Sequence, residues 1–426
     1  MSAELILLLQ ALVILVLPVA LWRFLRLRQG VPLVCVQILV GIALGPSIFG
    51  RFAPDLYAVF FSPATLTPLS GIASIAVLLF VYITGLHLEP AAFLGRGRAF
   101  ASIATASVVV PTAAGFLGGL WIAVHLPGDV GAGVHPIGFA TAIGICIGVT
   151  ALPVLGAILR EMNLLGQRLG DLALGVAAVN DAVLWLLLAG LLAVVAGGGS
   201  DGPGLLVSLI GTPIYLAVMV RYVRPYLRRL APHLLRNGQL SERTLAAVCA
   251  VALGSAMVTQ LLGLHYSFGA FVAGVLMPSE LRPLILDRLQ LVTIGILMPF
   301  FFMITGLRTF IDLGSAGFLE IMLLTTALGV LGKVGGTAVA ARLVGESWGT
   351  AFSLGALVQT KGLMELVVLT ILLDRGIIST NTFSALTLMA VITTLLAMPL
   401  ARIGLRWTPP EAASQSGQAI TTRAGS

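Results

Sequence analysis

The chain has 426 residues, of which 58% are hydrophobic and only 10% are charged, whereas a soluble domain carries about 25% charged residues. Together with a mean hydropathy of +1.06, this composition excludes a soluble globular protein and predicts an integral membrane protein. The net charge is +7, but the basic residues follow the pattern of membrane topology, so no nucleic-acid partner is expected.

Apolar runs long enough to cross a ~30 Å hydrocarbon core as helices recur along the chain. Thirteen spans are expected and are numbered in chain order. They lie at about residues 4–21, 31–48, 68–86, 100–124, 136–159, 170–196, 204–220, 243–262, 266–278, 290–307, 317–342, 350–373 and 382–402. Span 1 has no basic residue before it and no small-residue cleavage site after it, so it is expected to be a retained helix. A disordered cytoplasmic tail is expected over residues 404–426.

The loop arginines predict the orientation of the chain. Nineteen basic residues follow odd-numbered spans, and three follow even-numbered spans. Because basic loops stay in the cytoplasm, the N-terminus is expected outside and the C-terminus inside, in the cell's inner (plasma) membrane. The arginines between Arg221 and Arg236 are expected to touch anionic membrane lipid.

The only two lysines of the chain lie inside predicted spans. Lys333 is in span 11 and Lys361 in span 12, where a cation costs about 2.5–3.5 kcal/mol. A buried lysine can lose its proton and an arginine cannot, so this separation of the two residue types indicates ion chemistry. Asp181 in span 6 and Glu365 in span 12 are the deep acidic residues. With Asp181 ionised, the four charges sum to zero, as a low-dielectric interior requires.

Each of these residues also has a structural interpretation. Asp181 is either an ion site or half of an ion pair that fixes packing, and the former is favoured because intramembrane carboxylates are costly. Lys333 is either a proton carrier or a permanent cation. Lys361 and Glu365 are spaced as a local helix pair, although Lys361 could instead complement the C-terminal dipole of a half-helix. Thr150 could be an ordinary helix threonine bonded to its own backbone.

Two spans contain residues that interrupt helices. Span 5 contains GVTALP, with Thr150 before Pro153, and span 12 contains VQTKGLME, with Gln359, Thr360 and Gly362 in an apolar run. Interrupted spans at matching positions in two halves predict an inverted-repeat secondary transporter with its site at the midplane. The predicted transmembrane domain covers residues 1–403, with repeats at about 4–196 and 243–402 joined by a linking helix at about 204–220.

Several segments together resemble one family of transporters. These segments are VGIALGPSIFG, FVYITGLHLEP, SFGAFVAGVLMPSELRP, MPFFFMITGLRTFIDL and GKVGGTAVAARLVGESWGTAFSLGALVQTKGLMELVVL. They are similar to the monovalent cation/proton antiporter-2 family, which includes NhaA, NapA and the Kef systems, over the chain up to about Met398. The resemblance implies an all-α polytopic protein of the NhaA-like antiporter fold, with about 13 transmembrane helices and two crossed discontinuous helices. It also implies a homodimer and an elevator-type mechanism.

The resemblance also implies roles for individual residues. Asp181 corresponds to the essential ion-binding aspartate, Thr150 to the polar residue of the span 5 break, Lys333 to the span 11 lysine and Lys361 to the basic residue of the span 12 break. Asn180 departs from the electrogenic members, which have two adjacent aspartates here. An Asn-Asp pair is typical of the electroneutral branch, where arginine tends to replace the span 11 lysine. The stoichiometry therefore does not carry over.

The expected function is exchange of protons for a monovalent cation, Na⁺ or K⁺. Asp181 would bind either ion, with oxygens from Thr150, Asn180 and water around the cation and with Lys333 setting the stoichiometry. Supporting roles fall to Gln359, Thr360, Lys361 and Glu365. No cofactor is expected. The alternatives are a proton-coupled exporter of an organic metabolite or anion, and a channel. An enzyme is not expected, because no loop is long enough to carry a separate catalytic site.

Overall fold

The protein is almost entirely helical in the computed structural model, which describes residues 3–25, 31–87, 97–197, 202–236, 239–312 and 316–407. The helices are α1 (Ala3–Phe24), α2 (Leu33–Leu44), α3 (Phe49–Phe52), α4 (Pro54–Phe60), α5 (Pro63–His87), α6 (Gly97–His125), α7 (Pro136–Gly148), α8 (Leu152–Glu161), α9 (Arg168–Gly197), α10 (Gly202–Val218), α11 (Arg224–Leu234), α12 (Glu242–Leu261), α13 (Tyr266–Leu276), α14 (Arg282–Val292), α15 (Met298–Arg308), α16 (Ala316–Val330), α17 (Gly336–Leu343), α18 (Trp348–Val358), α19 (Leu363–Asp374) and α20 (Thr380–Arg406).

Short irregular elements connect some of these helices. Three π-helical segments join consecutive helices without a loop, at Met219–Val223, Thr293–Leu297 and Leu331–Gly335. A 3₁₀ turn covers Pro127–Asp129. The strands β1 (Leu235–Arg236) and β2 (Gln239–Leu240) form a minimal antiparallel pair that the sequence did not predict.

The helices are those of a polytopic membrane protein. Among the described residues, nine helices are long and apolar enough to cross a membrane, and three shorter apolar helices, α7, α13 and α18, accompany them. Where a span is divided between two helices, each helix is shorter than a full crossing, so the number of long helices is smaller than the number of spans. The total of thirteen stays a prediction.

Several helix boundaries differ from the predicted spans. Predicted spans 5 and 12 each consist of two helices, α7 with α8 and α18 with α19. Span 10 begins earlier than predicted, at Arg282, because the π-helical segment carries α14 into α15 without a break. The last helix continues to Arg406, so the first residues of the predicted tail are helical. Residues 408–426 of that tail lie outside the described residues.

The chain divides into two compact units. Unit 1 consists of Met1–Leu21, Val36–Pro90 and Trp185–Phe310, and unit 2 consists of Trp22–Cys35, Ala91–Leu184 and Ile311–Ser426. In unit 2, α6 packs against α7, α16 and α17, and α20 packs against α16, α18 and α19. All the candidate site residues belong to unit 2.

Two helix crossings in unit 1 bring glycine against glycine. A Cβ atom built on Gly41 would lie 2.9 Å from Gly306 Cα, and one built on Gly85 would lie 3.0 Å from Gly274 Cα. These backbones approach so closely that no side chain fits between them. The sequence around Gly85 and that around Gly306 are the same four residues, ITGL. Matching sequence and matching contacts are what a duplicated architecture produces, although the repeat boundaries stay a prediction.

Candidate functional site

The site is built on the two interrupted spans of unit 2. Helix α7 ends at Gly148 and α8 begins at Leu152, and the residues between them are extended. A proline in the first turn of α8 fits a new helix start, because proline has no N–H to continue the hydrogen-bond ladder of α7 and is tolerated in a first turn. Helix α18 ends at Val358, and α19 follows Gly362. Gly362 has φ +145°, a conformation that only glycine adopts without strain.

The two interruptions are hydrogen-bonded to each other. The backbone N–H of Ala151 donates to the carbonyl of Thr360 at 2.9 Å. The Thr150 hydroxyl donates to the carbonyl of Val358, the last residue of α18, at 2.8 Å. Backbone groups that leave a helix inside a membrane need a partner within the protein. Each interruption supplies partners to the other, so the two links form one structural element.

Both lysines are directed at the C-terminal end of α7. Lys361 Nζ donates to the carbonyls of Cys146 at 2.6 Å and Ile147 at 2.8 Å, and Lys333 Nζ donates to the carbonyl of Gly148. The last carbonyls of a helix lack partners and carry the negative end of the helix dipole. The two ammonium groups satisfy both requirements, although neither lysine lies on α7.

Lys333 lies in the π-helical segment Leu331–Gly335, between α16 and α17. Its side chain is fully buried. Such single-turn π bulges occur frequently at functional sites, because the additional residue in the turn changes the direction of side chains. Here the bulge carries the only lysine of its span.

The side-chain amide of Asn180 joins Lys333 to the α7–α8 link. When its oxygen faces Lys333, so that the ammonium gains an acceptor, Oδ1 lies 3.0 Å from Lys333 Nζ and 2.9 Å from Thr150 Oγ1. The amide nitrogen then donates to the Val176 carbonyl at 3.2 Å and to Ser107 Oγ at 3.0 Å. Both amide hydrogens and one lone pair of the oxygen are therefore engaged, because the single hydroxyl hydrogen of Thr150 is donated to Val358. Asn180 holds the lysine, the link and α6 in one network.

Asp181, the next residue after Asn180, takes no part in this hydrogen-bond network. Only 1% of its surface is exposed, and neither carboxylate oxygen has a hydrogen-bond partner among the described residues. Burying a carboxylate without partners costs several kcal/mol or more, so such groups persist in proteins where they bind something. Asp181 is therefore a candidate ion ligand of this site.

The second buried acid, Glu365, lies in the first turn of α19. Its Oε2 is 3.7 Å from Lys361 Nζ, and both side chains are fully buried. Neither Glu365 oxygen has a hydrogen-bond partner among the described residues, and the same holds for the side-chain amide of Gln359. Thr360 differs, because its hydroxyl donates to the Leu357 carbonyl at 2.7 Å. Unpaired polar atoms therefore also gather at the α18–α19 link.

Two hydroxyl residues of the site were not predicted from the sequence. Ser107, on α6, contacts Asn180. Thr394, on α20, bonds Lys361 twice, accepting from its N–H at 3.2 Å and donating to its carbonyl at 2.8 Å. Both lie among other serines and threonines of their helices, so nothing in the sequence distinguishes them, because helix serines and threonines commonly bond their own backbone.

The donors at the site define what it can hold. Among the described residues, no group of three or more His, Cys, Asp or Glu side chains could hold a metal ion. A buried carboxylate next in sequence to an asparagine that contacts a threonine hydroxyl offers oxygen atoms, which suit a proton or a hard cation. Interrupted spans, buried lysines and an unpaired carboxylate are the features expected of a polytopic membrane transporter.

Comparison of the sequence with known families identifies that protein class more closely. The sequence model of the family described as sodium/hydrogen exchanger, transmembrane, matches residues 11–402. The chain belongs to this family, as the resemblance to cation/proton antiporters implied.

Named relatives agree with the family. The chain is 33% identical to cation/H(+) antiporter 18 of Arabidopsis thaliana, over 92% of this chain and 48% of the relative. It is 30% identical to the Na(+)/H(+) antiporter NhaS4 of Synechocystis, over 88% of this chain and 91% of the relative. It is 28% identical to K(+)/H(+) antiporter 1 of Saccharomyces cerevisiae, over 89% and 44%. The chain thus spans about half the length of the plant and yeast relatives.

A solved structure shares the fold. The sodium proton antiporter MjNhaP1 of Methanocaldococcus jannaschii matches with a TM-score of 0.57 at 12% identity, covering 95% of this chain and 99% of that one. At this level of identity the match establishes the fold alone.

Proposed function

We propose that the protein exchanges protons for a monovalent alkali cation, Na⁺ or K⁺, across the membrane. The observation that carries this proposal is the fully buried Asp181 carboxylate, whose two oxygens have no partner among the described residues and whose chain neighbour Asn180 contacts the α7–α8 link. The names of the relatives, which include Na⁺/H⁺ and K⁺/H⁺ antiporters, support the same substrates.

Competition for one carboxylate accounts for the exchange. A proton and a cation both neutralise Asp181, and neither binds while the other is present. Thr150 Oγ1 retains a lone pair for a cation, and water completes the shell. Asn180 Oδ1 accepts from Lys333 and keeps a second lone pair for that shell, because the Thr150 hydroxyl hydrogen is donated to Val358. Transport then requires that only an occupied site cross the membrane.

The charges favour exchange of one proton for one cation. With Asp181 ionised, the four buried groups Asp181, Lys333, Lys361 and Glu365 sum to zero. Proton binding and cation binding each raise this sum to +1. Lys333 is held by two neutral oxygens, which supports a cation that keeps its proton throughout. Both occupied states then carry the same charge, and the exchange is electroneutral.

An elevator-type mechanism, in which the domain that holds the ion moves, is part of the proposal. Its support is that every site residue belongs to one compact unit. The predicted crossing of the two discontinuous helices is part of the same proposal, and the mutual hydrogen bonds of the two links support it.

The test is ion flux in proteoliposomes that contain a pH dye and a voltage dye. Addition of Na⁺ or K⁺ to the wild-type protein should produce a saturable proton flux with no voltage signal. The Asp181→Asn protein should insert normally and give no flux. Asp287→Asn is the matched control, because Asp287 is an exposed helical aspartate, and it should retain the wild-type rate.

Two results would overturn the proposal. Substantial cation-dependent flux in Asp181→Asn would remove that residue from the site. Proton flux that responds to an organic solute and to no alkali cation would assign the protein to metabolite export.

Orientation, partners and assembly complete the proposal. The arginine distribution supports an outside N-terminus and a cytoplasmic C-terminus in the plasma membrane. Arg221, Arg224 and Arg228 line one cavity of about 310 Å³, which supports contact with the phosphates of anionic lipid. A homodimer is proposed on the family resemblance, and cross-linking in native membranes tests it.

A further inference from the structure

The Lys361–Glu365 pair lies between the ends of two helices. Lys361 Nζ bonds the last carbonyls of α7, and Glu365 is in the first turn of α19. A cation is stabilised at the C-terminal end of a helix and an anion at the N-terminal end. Each member of the pair therefore has the sign of charge that its helix end favours.

The three hydrogens of the Lys361 ammonium face three acceptors. Two are the carbonyls of Cys146 and Ile147, and the third is the Glu365 carboxylate at 3.7 Å. Of these, only Glu365 carries a full negative charge. The side chain of Lys361 is fully buried, so solvent contributes nothing to the stability of its charge, and an ammonium in such a place needs a counter-ion.

Among the described residues, no other group takes the place of Lys361 as the close partner of the Glu365 carboxylate. The ionisable groups that act on it are Lys361 and Lys333, and the Cys146 thiol lies near the same pair. Thr394 of α20 bonds the Lys361 backbone and not the carboxylate. Neither carboxylate oxygen accepts a hydrogen bond from the described residues.

We infer that Glu365 is a positioning residue of the proposed exchange: its carboxylate keeps the Lys361 ammonium charged and bonded to the end of α7. Because the α7–α8 link begins directly after that end and carries Thr150, the carboxylate acts on the ion site through Lys361 and not as a ligand. The inference rests on the proposed function, since exchange is the activity that it would modify.

The decisive perturbation is Glu365→Gln, which keeps the shape of the side chain and removes its charge. Without a counter-ion the Lys361 ammonium is neutralised more easily as the pH rises. Exchange by the variant should therefore fail at an alkaline limit that lies at least about one pH unit below that of the wild type. At the acid end, where Lys361 stays charged, the rate should be within about twofold of the wild type.

A double-mutant cycle tests whether Glu365 acts through Lys361. Lys361→Gln alone should lower exchange at every pH. The double variant Lys361→Gln/Glu365→Gln should lose no more activity than Lys361→Gln, because the carboxylate has no further partner to hold. Losses that multiply would show that Glu365 acts independently and would overturn the inference.

Controls separate this role from a purely structural one. Glu320→Gln removes an exposed carboxylate from α16 of the same unit and should leave the pH profile unchanged. Glu365→Asp keeps the charge and should restore most of the alkaline activity. If Glu365→Gln does not fold, Glu365→Asp decides the question. Its alkaline limit of exchange should also lie below that of the wild type, but by less.

Three results would contradict the inference or the proposed function. An unchanged alkaline limit in a folded Glu365→Gln protein overturns the inference while leaving the exchange proposal intact. A changed KM for the cation with an unchanged pH profile makes Glu365 a cation ligand and also overturns it. If the wild-type protein exchanges no ions, the proposed function itself has failed.

Discussion

Substitution of Lys333 tests whether its charge is permanent. Its ammonium donates to the Gly148 carbonyl and lies 3.0 Å from the Asn180 oxygen. If it serves only to hold these two groups, then a different permanent cation should replace it. We therefore expect Lys333→Arg to retain cation/proton exchange, and Lys333→Met to lose it.

The contacts set the size of the expected effects. Lys333→Met removes two charge-assisted hydrogen bonds, each worth about 1.5–3 kcal/mol, and leaves the last α7 carbonyl without its partner. A loss of about 3 kcal/mol in the transport cycle corresponds to a rate about a hundredfold lower. Lys333→Arg keeps the charge but places a larger group in a fully buried position, which costs about 1–3 kcal/mol of stability.

The assay measures proton flux, membrane voltage and thermal stability for each reconstituted variant. Arg402→Met serves as the matched control, because Arg402 is an exposed cation in α20 and its loss should change neither flux nor stability. The reasoning is refuted if Lys333→Arg folds but exchanges nothing, above all if the wild-type protein also moves net charge. That result would make Lys333 a proton carrier with a two-proton stoichiometry.

Three further predictions concern the ion and the two links. Lowering the pH should raise the apparent KM for the cation by up to about tenfold per pH unit, because protons and cations compete by mass action for Asp181; KM from initial rates at several pH values checks this. Thr150→Val should raise the cation KM about tenfold by removing one oxygen ligand, a loss of about 1.4 kcal/mol. In the absence of cation, the variant should release the same number of protons as the wild type when the pH is raised. Gly362→Ala should lower stability by about 1–3 kcal/mol, because its φ of +145° is strained for alanine and a Cβ would lie 3.0 Å from Val154 Cγ2; thermal unfolding of the purified protein measures it.

Much of the architecture was predictable because lipid imposes simple rules. Long apolar runs predict spanning helices, and glycine, proline and polar residues inside such runs mark interruptions. The helix ends were less predictable. The continuation of α14 into α15 through a π-helical segment has no sequence rule, because helix and π bulge use the same residues.

The sequence predicted most of the residues that form the site but not the hydrogen bonds that join them. Charge inside an apolar span identifies Asp181, Lys333, Lys361 and Glu365 without any structure. The sequence could not indicate that Lys361 bonds carbonyls more than two hundred positions away in α7, since such a contact depends on how the two interrupted spans meet. Ser107 and Thr394 were missed for the same reason, because only their neighbours distinguish them from ordinary helix hydroxyls.

The two interruptions differ in backbone and in chemistry, and under the proposed function that difference indicates where the ion binds. Asn180 of α9 contacts the α7–α8 link, and Thr394 of α20 bonds the α18–α19 link. In each predicted half, the helix that makes this contact follows the link. Thr394 bonds both backbone groups of Lys361, which fixes that link and its ammonium directly. Asn180 contacts its link only through the side chain of Thr150, and the next residue along α9 is the unpaired Asp181. Under the proposed function, one link supplies a fixed charge, and the other presents side-chain oxygens to an ion that must bind and leave.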